Sequence, residues 1–170
     1  MYQTTINKSI SFSGKGIHTG VYTNITLIPA KEDTGIQFLR SDLPNKPIIK
    51  ANINNVSSTN RSTCLKSNNA EIKTVEHLLA SLTGMSIDNI IIDSDNIEIP
   101  ILDGSSYDFC KLIEKAGIKK LNKKKSFYRI KNKITYFDKV SGTSYTAFPS
   151  ENYEIETEID YNLKILKGQK

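Results

Sequence analysis

Apolar residues recurring at spacings of three and four mark two helices. In "KTVEHLLASLTGM", residues 73–85, the residues Val75, Leu78, Leu79, Leu82 and Met85 form one stripe, which predicts an amphipathic helix beginning near Thr74, with Gly84 inside it or at its end. In "SSYDFCKLIEKAG", residues 105–117, a second face comprises Phe109, Leu112, Ile113 and Ala116. Ser105 and Asp108 have the spacing of a capping box there, and Gly117 supplies a stop. Alternation and β-branched content predict strands in "TTINKSISFSG", "VYTNITLIPA", "GIQFLRSD", "PIIKANINNV" and "RSTCLKSN" before the first helix. The first two flank the glycine-rich "GKGIHTG" of Gly14 to Gly20, a hairpin-like opening. Between the helices, "IDNIIIDSD" has the continuous apolar character of a buried strand.

Three further strands are predicted in "SFYRIKNKITYFD", "TSYTAFPS" and "YEIETEIDY", with no helix after them to cover their apolar faces. The pattern is therefore α/β. Residues 1–118 are expected to form a sheet with two helices, 119–125 a basic linker, and 126–170 the incomplete opening of a second β-rich unit. Exposed strands in that last segment predict poor solubility or self-association.

Composition narrows the class of protein. With 170 residues, 38% hydrophobic and 24% charged, the chain can bury a core and reads as a globular domain. No apolar run approaches the roughly 20 residues of a membrane helix, and "MYQTTINKSISFSG" lacks the basic and apolar regions of an export signal, so a cytoplasmic location is expected. Cys64 and Cys110 lie 46 positions apart without CxxC spacing, and both read as buried thiols.

The net charge of +5 raises the question of nucleic acid. Residues 1–118 hold 11 Lys and Arg against 12 Asp and Glu, whereas 119–170 hold 12 against 6. Five of those charges sit in "KKLNKKK", a run with no aromatic residues for stacking on bases, so it reads as a solvated linker and not as a nucleic-acid surface.

The strongest chemical pair is Glu76 with His77. At about 100° per residue both fall off the apolar stripe, and the small residues Ala80 and Ser81 follow them one turn on. A first-turn position favours a carboxylate and disfavours an imidazolium, which suits a general base beside a metal-binding imidazole. A solvated surface pair fits the same spacing. No HExxH is present, and His18 is the only other histidine, so a zinc centre built within the chain would need His77, His18 and a carboxylate or Cys64 to converge. "GKGIHTG" can cradle a phosphate or turn a corner. Asp103 in "ILDGSS" can ligate a metal or make a turn into the second helix.

In this order, "GKGIHTG", "TVEHLLASLTGMSIDNIII" and "IEIPILDGSS" resemble the N-terminal domain of the UDP-3-O-acyl-N-acetylglucosamine deacetylase family, zinc enzymes of the committed step in lipid A synthesis. The resemblance covers residues 1 to about 160. It implies two similar α+β two-layer sandwiches, each a sheet backed by two helices. His77 would be the first zinc ligand, and Glu76 the base that activates water against the acetamide carbonyl of a UDP-linked acylated glucosamine. His18 and Thr19 would border the site, and Asp103 would be structural. Arg61 and Ser62 stand in "STNRSTCL", where the family often carries apolar residues. The other Zn2+ ligands, a His and an Asp spaced HxxxD, belong to the family's second domain, together with a catalytic Lys and a further His; no His follows residue 77 here. One ligand cannot hold catalytic zinc, so this chain is expected to be truncated, inactive alone, and either completed by a separate second-domain chain or retained as a non-catalytic scaffold or partner-binding module.

Overall fold

The computed structural model describes residues 1–160, and the chain divides into two units, Met1–Lys125 and Ser126–Lys170. The strands of the first unit are β1 (Tyr2–Ile6), β2 (Ile10–Lys15), β3 (Tyr22–Pro29), β4 (Ile36–Arg40), β5 (Ile48–Lys50), β6 (Val56–Ser58), β7 (Cys64–Ser67), β8 (Ala70–Ile72), β9 (Ile90–Ser94) and β10 (Ile118–Lys124). Helix α1 (Glu76–Gly84) lies between β8 and β9, and α2 (Tyr107–Ala116) between β9 and β10.

Five strands form the main sheet in the order β2-β3-β9-β4-β5, with β4 parallel to β9 and the other pairs antiparallel. Side chains alternate across a sheet. Ile25, Leu27, Phe38, Ile49, Ile90 and Ile92 thus share the face that meets Leu78 and Leu82 of α1 and Phe109 and Ile113 of α2. Phe12 and Phe109 meet edge to face at 5.5 Å. The fold class is mixed α and β, as the patterning predicts. Strand β9 departs in detail: Ile90, Ile92 and Ser94 are buried on the face that meets α1 and α2, while Ile91 and Asp93 on the opposite face are only half-buried.

Three further differences have local causes. "TTINKSISFSG" is two strands, not one. The chain breaks at Asn7–Ser9, where the Asn7 N–H turns to the Gly117 carbonyl at 2.8 Å, and β1 leaves the main sheet to pair with β10. The lysine run expected as a solvated linker is the strand β10, which satisfies its backbone on β1 and buries Leu121. Three of its five lysines are engaged locally: Lys123 pairs with Asp33, Lys125 with Asp88 at 2.9 Å, and Lys120 lies over the Tyr2 ring at 4.0 Å. At α2 the capping box does not form. Ser105 Oγ accepts the Tyr107 N–H at 3.0 Å while donating to Asp103, and Asp108 pairs with Lys111 at 3.7 Å. Gly117 ends that helix at φ 74°, a left-handed turn glycine tolerates.

A small sheet, β6-β7-β8, delivers the chain to α1. In the second unit, β11 (Ile134–Phe137) and β12 (Ser144–Ala147) form an antiparallel hairpin. "YEIETEIDY", predicted as a strand, has no regular strand over residues 153–160, where the chain shows only a bridge position at Ile159; its last residue lies outside the described residues. Among the described residues no helix is long and apolar enough to cross a membrane.

Candidate functional site

The start of α1 is built by backbone bonds from two directions. The Lys73 N–H donates to the Ile97 carbonyl at 2.8 Å and the Ile99 N–H to the Lys73 carbonyl at 3.1 Å, a parallel bridge that lays residues 97–99 alongside the entry to the helix. On the other side the Val75 N–H donates to the Thr63 carbonyl at 3.3 Å. Between these ties Thr74 is buried with φ 58°, a left-handed conformation that is strained for a β-branched residue by about 1–3 kcal/mol.

This frame holds the predicted pair. Glu76 occupies the first turn of α1, half-buried, and its Oε2 accepts the Thr63 N–H at 2.9 Å. The other carboxylate oxygen has no hydrogen-bond partner among the described residues. A carboxylate fixed at one oxygen and free at the other is suited to take a proton from water. His77 is also half-buried; its carbonyl accepts the Ser106 hydroxyl at 3.0 Å, which ties the entry of α2 to α1. The segment "STNRSTCL" does flank this site, but it engages Glu76 through backbone atoms of Thr63, not through the side chains of Arg61 or Ser62.

The residue that sequence reasoning overlooked is Glu98. Its side chain is completely buried, and both carboxylate oxygens accept hydrogen bonds. Oε1 takes the His18 N–H and the Thr74 hydroxyl, each at 2.9 Å; Oε2 takes the Thr19 N–H at 2.7 Å and the Thr19 hydroxyl at 2.5 Å. Burial alone would raise its carboxyl, but the donors on Thr19, His18 and Thr74 outweigh burial and hold it below the ordinary 4.5. The one sequence signal is a lone carboxylate inside the apolar run "IEIPIL". His18 and Thr19 are exposed and meet this network mainly through the backbone of the loop between β2 and β3.

The remaining candidates are structural. Asp103 is exposed and accepts the Ser105 N–H at 2.9 Å, which lowers its carboxyl and shapes the turn into α2. Both cysteines are free thiols; Cys64 is buried and lies 3.6 Å from Ser62 Oγ, whereas Cys110 is only half-buried, on the flank of the α2 stripe. Among the described residues no three His, Cys, Asp or Glu side chains converge on a metal position. His18, His77 and Cys64 therefore do not form a zinc centre, and the donors described do not suffice for one.

The family model for UDP-3-O-acyl N-acetylglycosamine deacetylase matches residues 3–170. The chain is 43% identical to a UDP-3-O-acyl-N-acetylglucosamine deacetylase of Chlamydia abortus over 159 residues, covering 94% of this chain and 56% of that protein. It is 40% identical to the deacetylase of Saccharophagus degradans over 168 residues, 99% of this chain and 55% of the relative. The "Bifunctional enzyme LpxC/FabZ" of Bacteroides thetaiotaomicron is 38% identical over 167 residues, 98% of this chain and 36% of that enzyme. The chain thus spans about half the length of the deacetylases it matches.

Proposed function

Because the chain belongs to the UDP-3-O-acyl-N-acetylglucosamine deacetylase family, we propose that it supplies the Glu76 and His77 half of a cytoplasmic deacetylase site acting on UDP-linked acylated glucosamine in lipid A synthesis. The observation that carries this reading is the Glu76 carboxylate, anchored by the Thr63 N–H at 2.9 Å and free at its other oxygen beside His77. In the proposed reaction Glu76 takes a proton from the water whose oxygen attacks the acetamide carbonyl. The C–N bond then breaks to give acetate, and the sugar amine leaves with a proton. His77 is assigned as one metal donor, and because no three donors converge among the described residues, the reading requires a second domain to supply the others.

One metal donor and a half-site are equally compatible with a second reading for the chain by itself, a non-catalytic module that binds a partner chain. Zinc content and deacetylation separate the two. The 170-residue chain is assayed alone and mixed with a separately expressed second domain of a full-length relative, with His77→Ala as control. The deacetylase reading expects zinc and turnover in the mixture, both lost in His77→Ala. No turnover, while the same second domain works with the relative's own first half, would leave the module reading.

A further inference from the structure

We propose that Glu98 is a positioning residue that locks the loop bearing His18 and Thr19 to the start of α1 and thereby fixes the direction of Glu76. This deepens the deacetylase reading and, for its catalytic consequence, rests on it.

The chemistry of the clasp is specific to an ionised carboxylate. All four polar contacts on Glu98 are donors: two backbone N–H groups and two hydroxyls. A glutamine in the same place would turn its NH2 toward donors, and an apolar residue would leave two part-buried N–H groups without this acceptor. A buried charge is costly and contributes little net stability compared with apolar packing, so its use here is better explained by the geometry it imposes. The segments it joins are far apart in sequence, residues 18 and 19 on one side and Thr74 on the other.

Thr74 is the point at which the clasp reaches the site. Its backbone is left-handed, two residues before Glu76, and its hydroxyl is held by Glu98 Oε1. Strain of this kind persists only where surrounding contacts over-determine it. Released from Glu98, Thr74 relaxes toward an ordinary backbone conformation, which rotates the entry to α1 and moves the Glu76 carboxylate away from the Thr63 N–H. The N–H of Thr63 therefore reports on Glu76, although no bond joins Thr63 to Glu98.

Backbone hydrogen exchange of the 170-residue chain tests this without metal or substrate. In Glu98→Gln, the His18, Thr19 and Thr63 amides are expected to exchange about tenfold faster or more, while Leu27 and Ile92 in the sheet centre keep their protection. Thr19→Val puts a methyl group in place of the hydroxyl that donates to Glu98 and accepts the Val21 N–H, on an exposed loop outside the core, so the fold is retained; Thr63 is expected to exchange about threefold faster. The proposal is overturned if Thr63 stays protected in either variant, which would make Glu98 a local loop latch. Equal loosening of Leu27, Ile92 and Thr63 would also overturn it, since that is loss of stability and not of position. In the mixture with a second domain, Thr19→Val should lower kcat several-fold at unchanged KM, and the reverse split would count against positioning. If the parent mixture shows no turnover, the deacetylase reading fails while the exchange data still decide whether the clasp positions Glu76.

Discussion

A Cβ placed on Gly16 would fall 2.5 Å from Cδ of Glu98, far inside van der Waals contact. The glycine at this position of "GKGIHTG" is there to let a buried carboxylate approach the backbone, and the resulting clasp is internal to the protein.

Gly16→Ala should therefore destabilise the chain by about 1–3 kcal/mol, because the carboxylate opposite it is held by four donors and cannot move aside. Gly84→Ala is the contrast. Nothing lies within 4 Å of a Cβ there, and the helix should gain about 0.5–1 kcal/mol. Urea denaturation of both variants measures the two signs.

Helices α1 and α2 were legible because their stripes are local: Leu78 with Leu82, and Phe109 with Ile113, become buried as their spacing requires. The strands around "GKGIHTG" were legible for the same reason, since Lys15 pairs with Tyr22 across a short loop. Strand β10 was not, because what makes it a strand is β1, at the other end of the first unit, and its own residues carry only the polarity of a linker. Glu98 was hidden in the same way. Its partners lie 79 and 80 residues before it in the loop and 24 before it at Thr74, and no window along the chain contains them together. Glu76 and His77 could be named from sequence, but the Thr63 anchor could not, since it is a backbone group.

Acid should weaken the clasp. The folded-state carboxyl of Glu98 is depressed, so the unfolded chain binds its proton at a higher pH than the folded chain does. The stability it contributes is present above the ordinary 4.5 and is lost as pH falls through the lower folded value. Asp42, lowered by its hydrogen bonds from Arg40, adds to the same acid limb. Urea midpoints taken from about pH 6 to about pH 3 should fall less steeply for Glu98→Gln than for the parent.

The hairpin of the second unit exposes Tyr136, Phe137, Tyr145 and Phe148, each more than half accessible. A two-stranded ribbon that presents accessible aromatic side chains is a surface for self-pairing. Sedimentation of the whole chain should show concentration-dependent association, which deleting residues 126–170 removes. A single monomer boundary at every concentration would contradict this.

The proposed role of Glu76 is tested most directly by Glu76→Gln in the mixture of this chain with a relative's second domain. The variant keeps an oxygen for the Thr63 N–H and loses the proton acceptor. Deacetylation is expected to fall about 10²–10⁴-fold, with zinc content and thermal stability close to the parent's. Turnover within twofold of the parent would contradict the assignment of Glu76 as the base.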